Sequence, residues 1–261
     1  MPVVRAIREE SGRDEEELLM ASHTIAASVI GALIADIGRL PEDWHKAGSV
    51  STRVLGAIAR RAVDRRIEHS LETGSGKTTL LLSHLSADHT VFAIEHYGDE
   101  DTGSITNVRK SRLFNAATVT FVEGPTQTTL PRHAFRHRLQ LAMIDGPHGY
   151  PFPELEYYHI YPHLDEDALL IVDDIHIPTI HNLFAFLRED EMFELLEVVD
   201  NAAFFRRTAM PTFSPVLDGW WLQAYNKKRF PISVRAARRL DWLRPFVPAR
   251  AKAFIRRHIG G

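Results

Sequence analysis

Residues 70–82 read S-L-E-T-G-S-G-K-T-T-L-L-L. An apolar run ending at Glu72, glycines at Gly74 and Gly76, and a leucine-rich segment at helical spacing predict a strand, a tight turn and the start of a helix. Glycine lets the backbone approach a ligand closely, and the free N–H groups at a helix start favour negative charge. The stretch therefore predicts a ligand-binding turn in an α/β fold.

The spacing around this turn distinguishes three nucleotide-binding patterns. A phosphate-binding P-loop that ends at Gly76-Lys77-Thr78 needs a glycine at position 71, where the chain has Leu71. The dinucleotide pattern G-x-G-x-x-G needs a third glycine at position 79, where the chain has Thr79. What remains is an acidic residue two positions before the first glycine. A helix entry that binds no ligand stays open as an alternative.

Strand and helix patterns alternate after this turn, which predicts a parallel sheet with right-handed crossovers. Two longer strands near the C-terminal end predict an antiparallel hairpin at the sheet edge, around a loop at 210–219. The predicted fold is α/β and Rossmann-like, with a doubly wound, mostly parallel seven-stranded sheet, an antiparallel C-terminal hairpin and N-terminal helices. The predicted strands cover 90–94, 118–122, 139–144, 168–172, 193–207 and 220–225, and the predicted helices cover 107–115, 154–164 and 180–187.

The chain divides into three predicted segments. Residues 1–66 form an N-terminal helical extension, with helices at 21–37 and 51–66, and residues 67–230 form the α/β domain. Residues 231–261 form a basic amphipathic tail with eight Lys and Arg residues against one acidic residue. This tail either packs on the core as a solvated helix or lies against an anionic lipid surface.

The composition limits the classes of function. A chain of 261 residues that is 44% apolar can bury a full core, and its net charge of −3 gives no argument for nucleic-acid binding. With no cysteine, any metal must be bound by oxygen or imidazole. The charged N-terminus argues against export, and the longest uncharged stretch, 24–35, is too short to span a bilayer. We expect a cytoplasmic location, with peripheral contact at the inner membrane surface as an open role of the tail.

Acidic residues follow several of the predicted strands, and those after the second, fourth and fifth strands carry chemical predictions. Glu95 comes about 20 positions after the glycine turn, where such a side chain binds ribose hydroxyls in nucleotide-binding units; an ordinary surface carboxylate is the alternative. Asp145 follows the fourth strand, and Asp173-Asp174 follow the fifth. Carboxylates at this density are costly unless a cation neutralises them, and oxygen ligands suit Mg²⁺. His148 is placed to take a proton from a substrate hydroxyl, although an ordinary structural role is also open to this residue.

These residues resemble the motifs of class I S-adenosylmethionine-dependent methyltransferases. The turn Glu72-Thr73-Gly74-Ser75-Gly76 resembles the first motif of that class, while I-D-G-P-H-G-Y at 144–150 and L-L-I-V-D-D at 169–174 are similar to the metal-assisted O-methyltransferases of catechols and sugar hydroxyls. The resemblance implies that Asp145, Asp173 and Asp174 hold Mg²⁺, with Asp145 and His148 as the catalytic residues and His148 as the base. It implies cofactor contacts from Glu72, Thr73, Gly74, Ser75, Gly76, Glu95, Glu123, Gly124, Thr126 and Asp145.

The resemblance covers roughly residues 68–225 and departs from the family pattern in two places. Glu123-Gly124-Pro125 lacks the usual Gly-Asp that places an acidic side chain near the adenine, and Lys77 is uncommon in the first turn. The implied activity is methyl transfer to a hydroxyl of a small molecule or glycan. A P-loop-like ATP-binding enzyme, a non-catalytic nucleotide-binding module and a relative without metal stay open as alternatives. Neither the methyl acceptor nor the oligomeric state is predicted.

Overall fold

The computed structural model describes residues 28–41, 44, 50–63, 65–95, 103–214 and 223–229. Within these ranges the first helix, α1, covers residues 28–38. The remaining helices are α2 (Thr52–Ala62), α3 (Lys77–Leu85), α4 (Ser104–Lys110), α5 (Thr126–Thr129), α6 (Phe152–Ile160), α7 (Pro178–Leu187) and α8 (Ala224–Arg229). The strands are β1 (Ile67–Thr73), β2 (Ser86–Ala93), β3 (Val119–Glu123), β4 (Leu139–Ile144), β5 (Leu164–Val172), β6 (Phe193–Val199) and β7 (Ala202–Arg207).

The strands of these described residues form one sheet in the order β3-β2-β1-β4-β5-β7-β6. Strands β1 to β5 pair in parallel, whereas β7 pairs antiparallel with both β5 and β6. This arrangement confirms the predicted fold class. Because β1 lies between β2 and β4, the glycine turn that follows β1 lies in the middle of the sheet edge.

Helices cover both faces of the sheet. In β4, Leu141 and Met143 belong to a core shared with α1, α2 and α3, whereas Ala142 and Ile144 belong to a core shared with α6 and α7. Successive side chains of a strand point to opposite faces, so a strand buried on both faces is apolar throughout. This explains why residues 141–144 of β4 and the end of β5 read as continuous apolar runs.

The C-terminal hairpin lies earlier in the chain than predicted. The sequence predicts one strand over 193–207 and a partner over 220–225, and these positions are wrong. The chain reverses at residues 200–201, so the two strands of the hairpin are β6 and β7. Tyr225 lies in helix α8, and residues 220–222 lie outside the described part of the chain.

The hairpin turn is stabilised from α2. Asp200 adopts a φ of +50°, which aspartate tolerates better than most residues. Its carboxylate accepts hydrogen bonds from Ser51 Oγ at 2.5 Å and from Arg53 Nη1 at 2.6 Å. Arg61 Nε also donates to Glu197 Oε1 of β6 at 2.8 Å. Contacts with a distant helix therefore fix a turn that contains no glycine.

Some predictions concern residues that the structure does not describe. They are the start of the helix predicted at 21–37, which is helical from residue 28 onward, the last part of the loop at 210–219, and the tail at 231–261. The division into three segments stays a prediction. Across the described residues, no helix is both long and apolar enough to cross a membrane.

Candidate active site

Gly74 is the residue at which the chain leaves β1. Its φ of +87° lies in the left-handed region, which favours glycine. A Cβ here would lie 2.3 Å from the backbone oxygen of Asp145, a separation that Cβ atoms essentially never adopt. The Gly74 N–H donates to the backbone oxygen of Phe92 at 2.9 Å. The glycine turn is thus held between the ends of β2 and β4, directly beside the residue that follows β4.

Glu72 lies beneath this turn and is 1% exposed. Its Oε1 accepts a hydrogen bond from the hydroxyl of Thr79, whose Oγ1 accepts from the backbone N–H of Gly76 at 3.0 Å. His89 Nε2 lies 3.2 Å from the same Glu72 oxygen. Glu72 therefore ties the glycine turn to the first turn of α3 and to β2, while its predicted contact with a cofactor stays a prediction.

Glu95, predicted to bind ribose, lies against the start of α4. Its Oε1 accepts a hydrogen bond from the backbone N–H of Thr106 at 3.2 Å, and a Cβ on Gly103 would collide with this carboxylate. Ser104, the first residue of α4, contacts the glycine turn through a hydrogen bond between its Oγ and that of Ser75, at 2.8 Å. The start of α4 therefore joins the glycine turn to the end of β2.

The segment after β3 also reaches this edge of the sheet. Glu123 is exposed and accepts a hydrogen bond from Arg109 Nη2 at 2.8 Å. Gly124 has a φ of +137° and donates its N–H to the backbone oxygen of Ala93 at 2.9 Å. Thr126 is 4% exposed. The structure thus brings the predicted cofactor residues to one edge of the sheet, although Glu72 and Thr126 are buried beneath its surface.

Asp145, His148 and Asp174 form a cluster at the carboxyl ends of β4 and β5. One ligand atom from each lies within 4.8 Å of the other two. His148 Nε2 is 3.4 Å from Asp174 Oδ2 and 3.9 Å from Asp145 Oδ1, which is too long for a hydrogen bond. Asp173 is not a member of this cluster; it is 8% exposed, and its backbone N–H donates to the oxygen of Ile144 at 3.1 Å.

Negative charge in this region is poorly neutralised. Loss of solvation raises the pKa of Asp145 to about 7, and the carboxylates of Asp173, Asp174 and Glu72 raise it as well, whereas His148 lowers it. Burial also raises the pKa of Asp173 to about 6. The pKa of His148 is raised, chiefly by Asp145. A proton or a cation between these side chains is therefore favoured.

Two side chains border the cluster. The hydroxyl of Thr179, in the first turn of α7, donates to the backbone oxygen of His148 and fixes the loop after β4. His176 Nδ1 lies 3.6 Å from Asp174 Oδ1, on the solvent side. Thr179 thus ties the loop after β4 to α7, and His176 brings a second imidazole close to Asp174.

A family model described as a methyltransferase domain matches residues 71–175. The matched segment begins in β1 and ends directly after β5. It contains the glycine turn, Glu95, the segment Glu123–Thr126 and the acidic cluster. The segment that carries these features is therefore similar to a methyltransferase domain.

Solved structures of O-methyltransferases share the fold of this methyltransferase domain. A candidate O-methyltransferase from Klebsiella pneumoniae has a TM-score of 0.52 at 16% identity, over 68% of this chain and 90% of that chain. The O-methyltransferase NovP has a TM-score of 0.51 at 17% identity, over 71% and 99%. The O-methyltransferase TomG from Streptomyces achromogenes, in complex with S-adenosylmethionine, has a TM-score of 0.50 at 15% identity, over 68% and 90%. No curated protein matches the sequence.

The match to a methyltransferase domain decides between the alternatives left open by the sequence. It favours an enzyme over a non-catalytic binding module, and a sulfonium cofactor over the phosphates of ATP. Leu71 stands within β1 at the position where a P-loop needs glycine. Lys77 is accordingly the first residue of α3 in a methyltransferase turn.

The methyltransferase domain also contains a buried carboxylate that the sequence analysis missed. Glu156 of α6 is 2% exposed, and its Oε2 accepts a hydrogen bond from Thr73 Oγ1 at 2.7 Å. A signal for it exists in the sequence. Glu156 lies on one face of α6 together with three apolar or aromatic residues at helical spacing, Pro153, Tyr157 and Ile160. A carboxylate on such a face is rarely buried without a partner.

Proposed function

We propose that this domain transfers the methyl group of S-adenosylmethionine to a hydroxyl oxygen of a small molecule or sugar, with a divalent cation bound at Asp145, His148 and Asp174. The position of this cluster carries the proposal. The backbone oxygen of Asp145 packs against Gly74, and its carboxylate belongs to the cluster. The same residue therefore borders both the glycine turn and the proposed cation site. An acceptor oxygen held at the cluster would therefore lie beside a methyl donor held at the turn.

The proposed cofactor site is built from the ends of β1 to β4. In the free protein, Glu95 contacts the start of α4 through one hydrogen bond. A carboxylate accepts up to about four hydrogen bonds, so this contact is compatible with a further one to a ribose hydroxyl. The full proposed set is Glu72, Thr73, Gly74, Ser75, Gly76, Glu95, Glu123, Gly124, Thr126 and Asp145.

The residues of the cluster fit a divalent cation. Ligand atoms that lie about 2.0–2.6 Å from one ion are separated by no more than about 5 Å, and the three atoms here lie within 4.8 Å. Their imidazole differs from the oxygen-only set Asp145, Asp173 and Asp174 that the sequence predicts for Mg²⁺. Carboxylates suit both Mg²⁺ and Mn²⁺, and a transition metal accepts an imidazole ligand more readily than Mg²⁺ does, so Mn²⁺ is as reasonable an occupant as Mg²⁺. Asp173 stays a predicted ligand to be tested.

His148 has two competing roles in this proposal. A divalent cation supplies one effect, a lower pKa for an acceptor hydroxyl that contacts it. As a base, His148 takes the proton of that hydroxyl, and the neighbouring carboxylates raise its pKa and so strengthen it. As a ligand, it offers Nε2, the nitrogen that faces the carboxylates, and this atom can then accept no proton. In either role of His148, the glycine turn would align the methyl donor with the acceptor oxygen.

Calorimetric titration tests the cofactor half of the proposal. We expect the purified protein to bind S-adenosylmethionine with a Kd in the micromolar range and to show no binding of ATP with Mg²⁺. Gly74→Val should abolish the binding, because its side chain would overlap the backbone oxygen of Asp145. Binding of ATP alone would contradict the proposal and favour the alternative in which Lys77 binds phosphate.

Two experiments test the cation half of the proposal. The first is a titration with MnCl₂ and MgCl₂, and the second measures turnover on a panel of catechol and sugar acceptors with and without chelator. His148→Gln separates the two roles of this residue. A variant that loses cation affinity identifies a ligand, whereas one that keeps the affinity and loses turnover identifies a base. Turnover that is indifferent to chelator would remove the cation from the proposal.

A further inference from the structure

Glu156 lies where three segments of the proposed cofactor site meet. Its carboxylate accepts a hydrogen bond from Thr73 at the end of β1. The hydroxyl of Thr126, after β3, and the backbone N–H of Gly146, after β4, face this carboxylate and lower its pKa, although Thr126 Oγ1 has no partner in good hydrogen-bond geometry. These three segments come from separate parts of the chain, and a single side chain on α6 contacts all of them.

Thr73 extends this contact to the cation site. Its hydroxyl is fully buried, donates to Glu156 Oε2 at 2.7 Å and accepts from the backbone N–H of Asp145 at 3.0 Å. A hydroxyl has one proton, so donation to Glu156 keeps its lone pairs available to Asp145. Removal of the carboxylate would leave a buried hydroxyl without its acceptor and free to turn away. The hydroxyl of Thr73 thus links the backbone N–H of Asp145 to the carboxylate of Glu156.

The packing around the carboxylate is equally specific. A Cβ on Gly146 would lie 2.0 Å from Glu156 Oε1, so the loop after β4 makes room for this oxygen only because residue 146 is glycine. Oε1 nevertheless has no partner in good hydrogen-bond geometry. The loop after β4 thus packs closely against the carboxylate, while Oε1 keeps unused hydrogen-bonding capacity.

Stability does not account for this carboxylate. Burial raises the pKa of Glu156 to about 7, which shows that the ionised form is disfavoured at this position. An apolar side chain of similar volume would complete the helix face without that cost. The contacts of Glu156 go instead to the segments that surround the proposed cofactor.

We infer that Glu156 is a positioning residue, which holds the glycine turn, the Thr126 segment and Asp145 in their cofactor-binding arrangement without touching the cofactor. The inference rests on the proposed function, because it assumes that those three segments bind the cofactor. It adds to that proposal a residue whose effect passes through Thr73.

The test is a double-mutant cycle read by calorimetric titration with S-adenosylhomocysteine and by thermal unfolding. We expect Glu156→Leu and Thr73→Val each to weaken binding about tenfold or more, the range seen when outer-shell partners of a site are removed. The double variant should bind no more weakly than the weaker single variant, because both changes break one connection. Glu156→Gln should recover part of the affinity, since its amide oxygen still accepts from Thr73.

Thermal unfolding separates positioning from general support. Glu156→Leu should unfold at or above the wild-type temperature while binding more weakly, and Glu191→Leu at an exposed position should leave the affinity unchanged. Wild-type affinity in both Glu156→Leu and Thr73→Val would overturn the inference alone. A loss of affinity that simply follows a loss of thermal stability, without recovery in Glu156→Gln, would also overturn it. A wild-type protein that binds no S-adenosylhomocysteine would overturn the inference and the proposed cofactor site together.

Discussion

Gly74→Ala is the smallest change that should damage the active site. The added methyl group would lie 2.3 Å from the backbone oxygen of Asp145, where ordinary contact begins at 3.4 Å, so one segment must move by about 1 Å. The φ of +87° adds a second cost, because an L side chain in the left-handed region costs about 1–2 kcal/mol. Overpacking of this kind typically adds about 1–3 kcal/mol, which gives a total of roughly 2–5 kcal/mol.

The measurement is urea unfolding of wild type and variant, together with titration of S-adenosylmethionine. In thermal unfolding of a domain of this size, each 1 kcal/mol lowers the Tm by roughly 2–4 °C, so the expected shift in Tm is roughly 4–20 °C. The free energy of cofactor binding should fall by more than the free energy of unfolding. The reason is that the simplest relief of the clash moves residue 74 away from Asp145 and so distorts the turn that binds the cofactor. The strain is local to the turn, so the variant should still fold.

Gly149→Ala is the matched control. Its Cβ would lie 3.7 Å from Phe152 Cδ2, an ordinary contact in the same region of the domain. We expect a change within about 1 kcal/mol and an unaltered affinity. A Gly74→Ala protein that matched this control in both stability and affinity would refute the argument that the turn is pressed against the residue after β4.

Three further results are expected. Asp145→Asn should weaken Mn²⁺ binding about tenfold or more in a calorimetric titration, whereas Asp88→Asn at an exposed position should not; equal affinities would exclude the cluster as the cation site. Because burial raises the pKa of Glu156 to about 7, its contribution to stability is fully present below about pH 4.5 and is lost as the pH rises through about 7. Urea titrations at pH 5 and pH 8 should show a loss of stability in the wild type that is smaller in Glu156→Gln, by on the order of 3 kcal/mol. The loss that remains in the variant comes from Asp145 and Asp173, whose pKa values burial also raises. Phe204→Ala should destabilise the domain by about 3–5 kcal/mol in urea, because this side chain is fully buried between β7 and the helices; a loss below about 1 kcal/mol would contradict the described core.

Sequence patterns within a few residues predicted the elements whose conformation depends on neighbouring residues. The glycine turn follows from Gly74 and Gly76, and β4 follows from the apolar run at residues 141–144. The hairpin was misplaced because its turn, at residues 200–201, contains no glycine or proline. The bonds that fix that turn come from Ser51 and Arg53, which lie about 150 residues away in the sequence. No short window of sequence contains both partners.

The sequence named the three residues of the cluster as functional candidates but did not predict how they group; their roles stay predictions. Asp145, His148 and Asp174 were all predicted to be functional, yet the structure groups the imidazole with two carboxylates, whereas the sequence favoured three carboxylates. Which side chains meet depends on the course of the backbone after β5, where Asp174 adopts a φ of +54°. Glu156 was missed for a related reason. Its partners come from three distant segments, and only its position on an apolar helix face hinted at a role.

The bonds between α2 and the β6–β7 hairpin have a consequence for the order in which the chain is made. Synthesis proceeds from the N-terminus, so α2 is complete long before Glu197 and Asp200 exist to pair with it. Contacts over such separations form slowly, since a long loop must close before they contribute. During translation, the part of the apolar face of α2 that packs on β6 and β7 must therefore stay exposed until the last strands of the sheet are made. We expect chains that end before β6 to expose this face and to aggregate or engage chaperones, although the whole methyltransferase match at 71–175 has already been made.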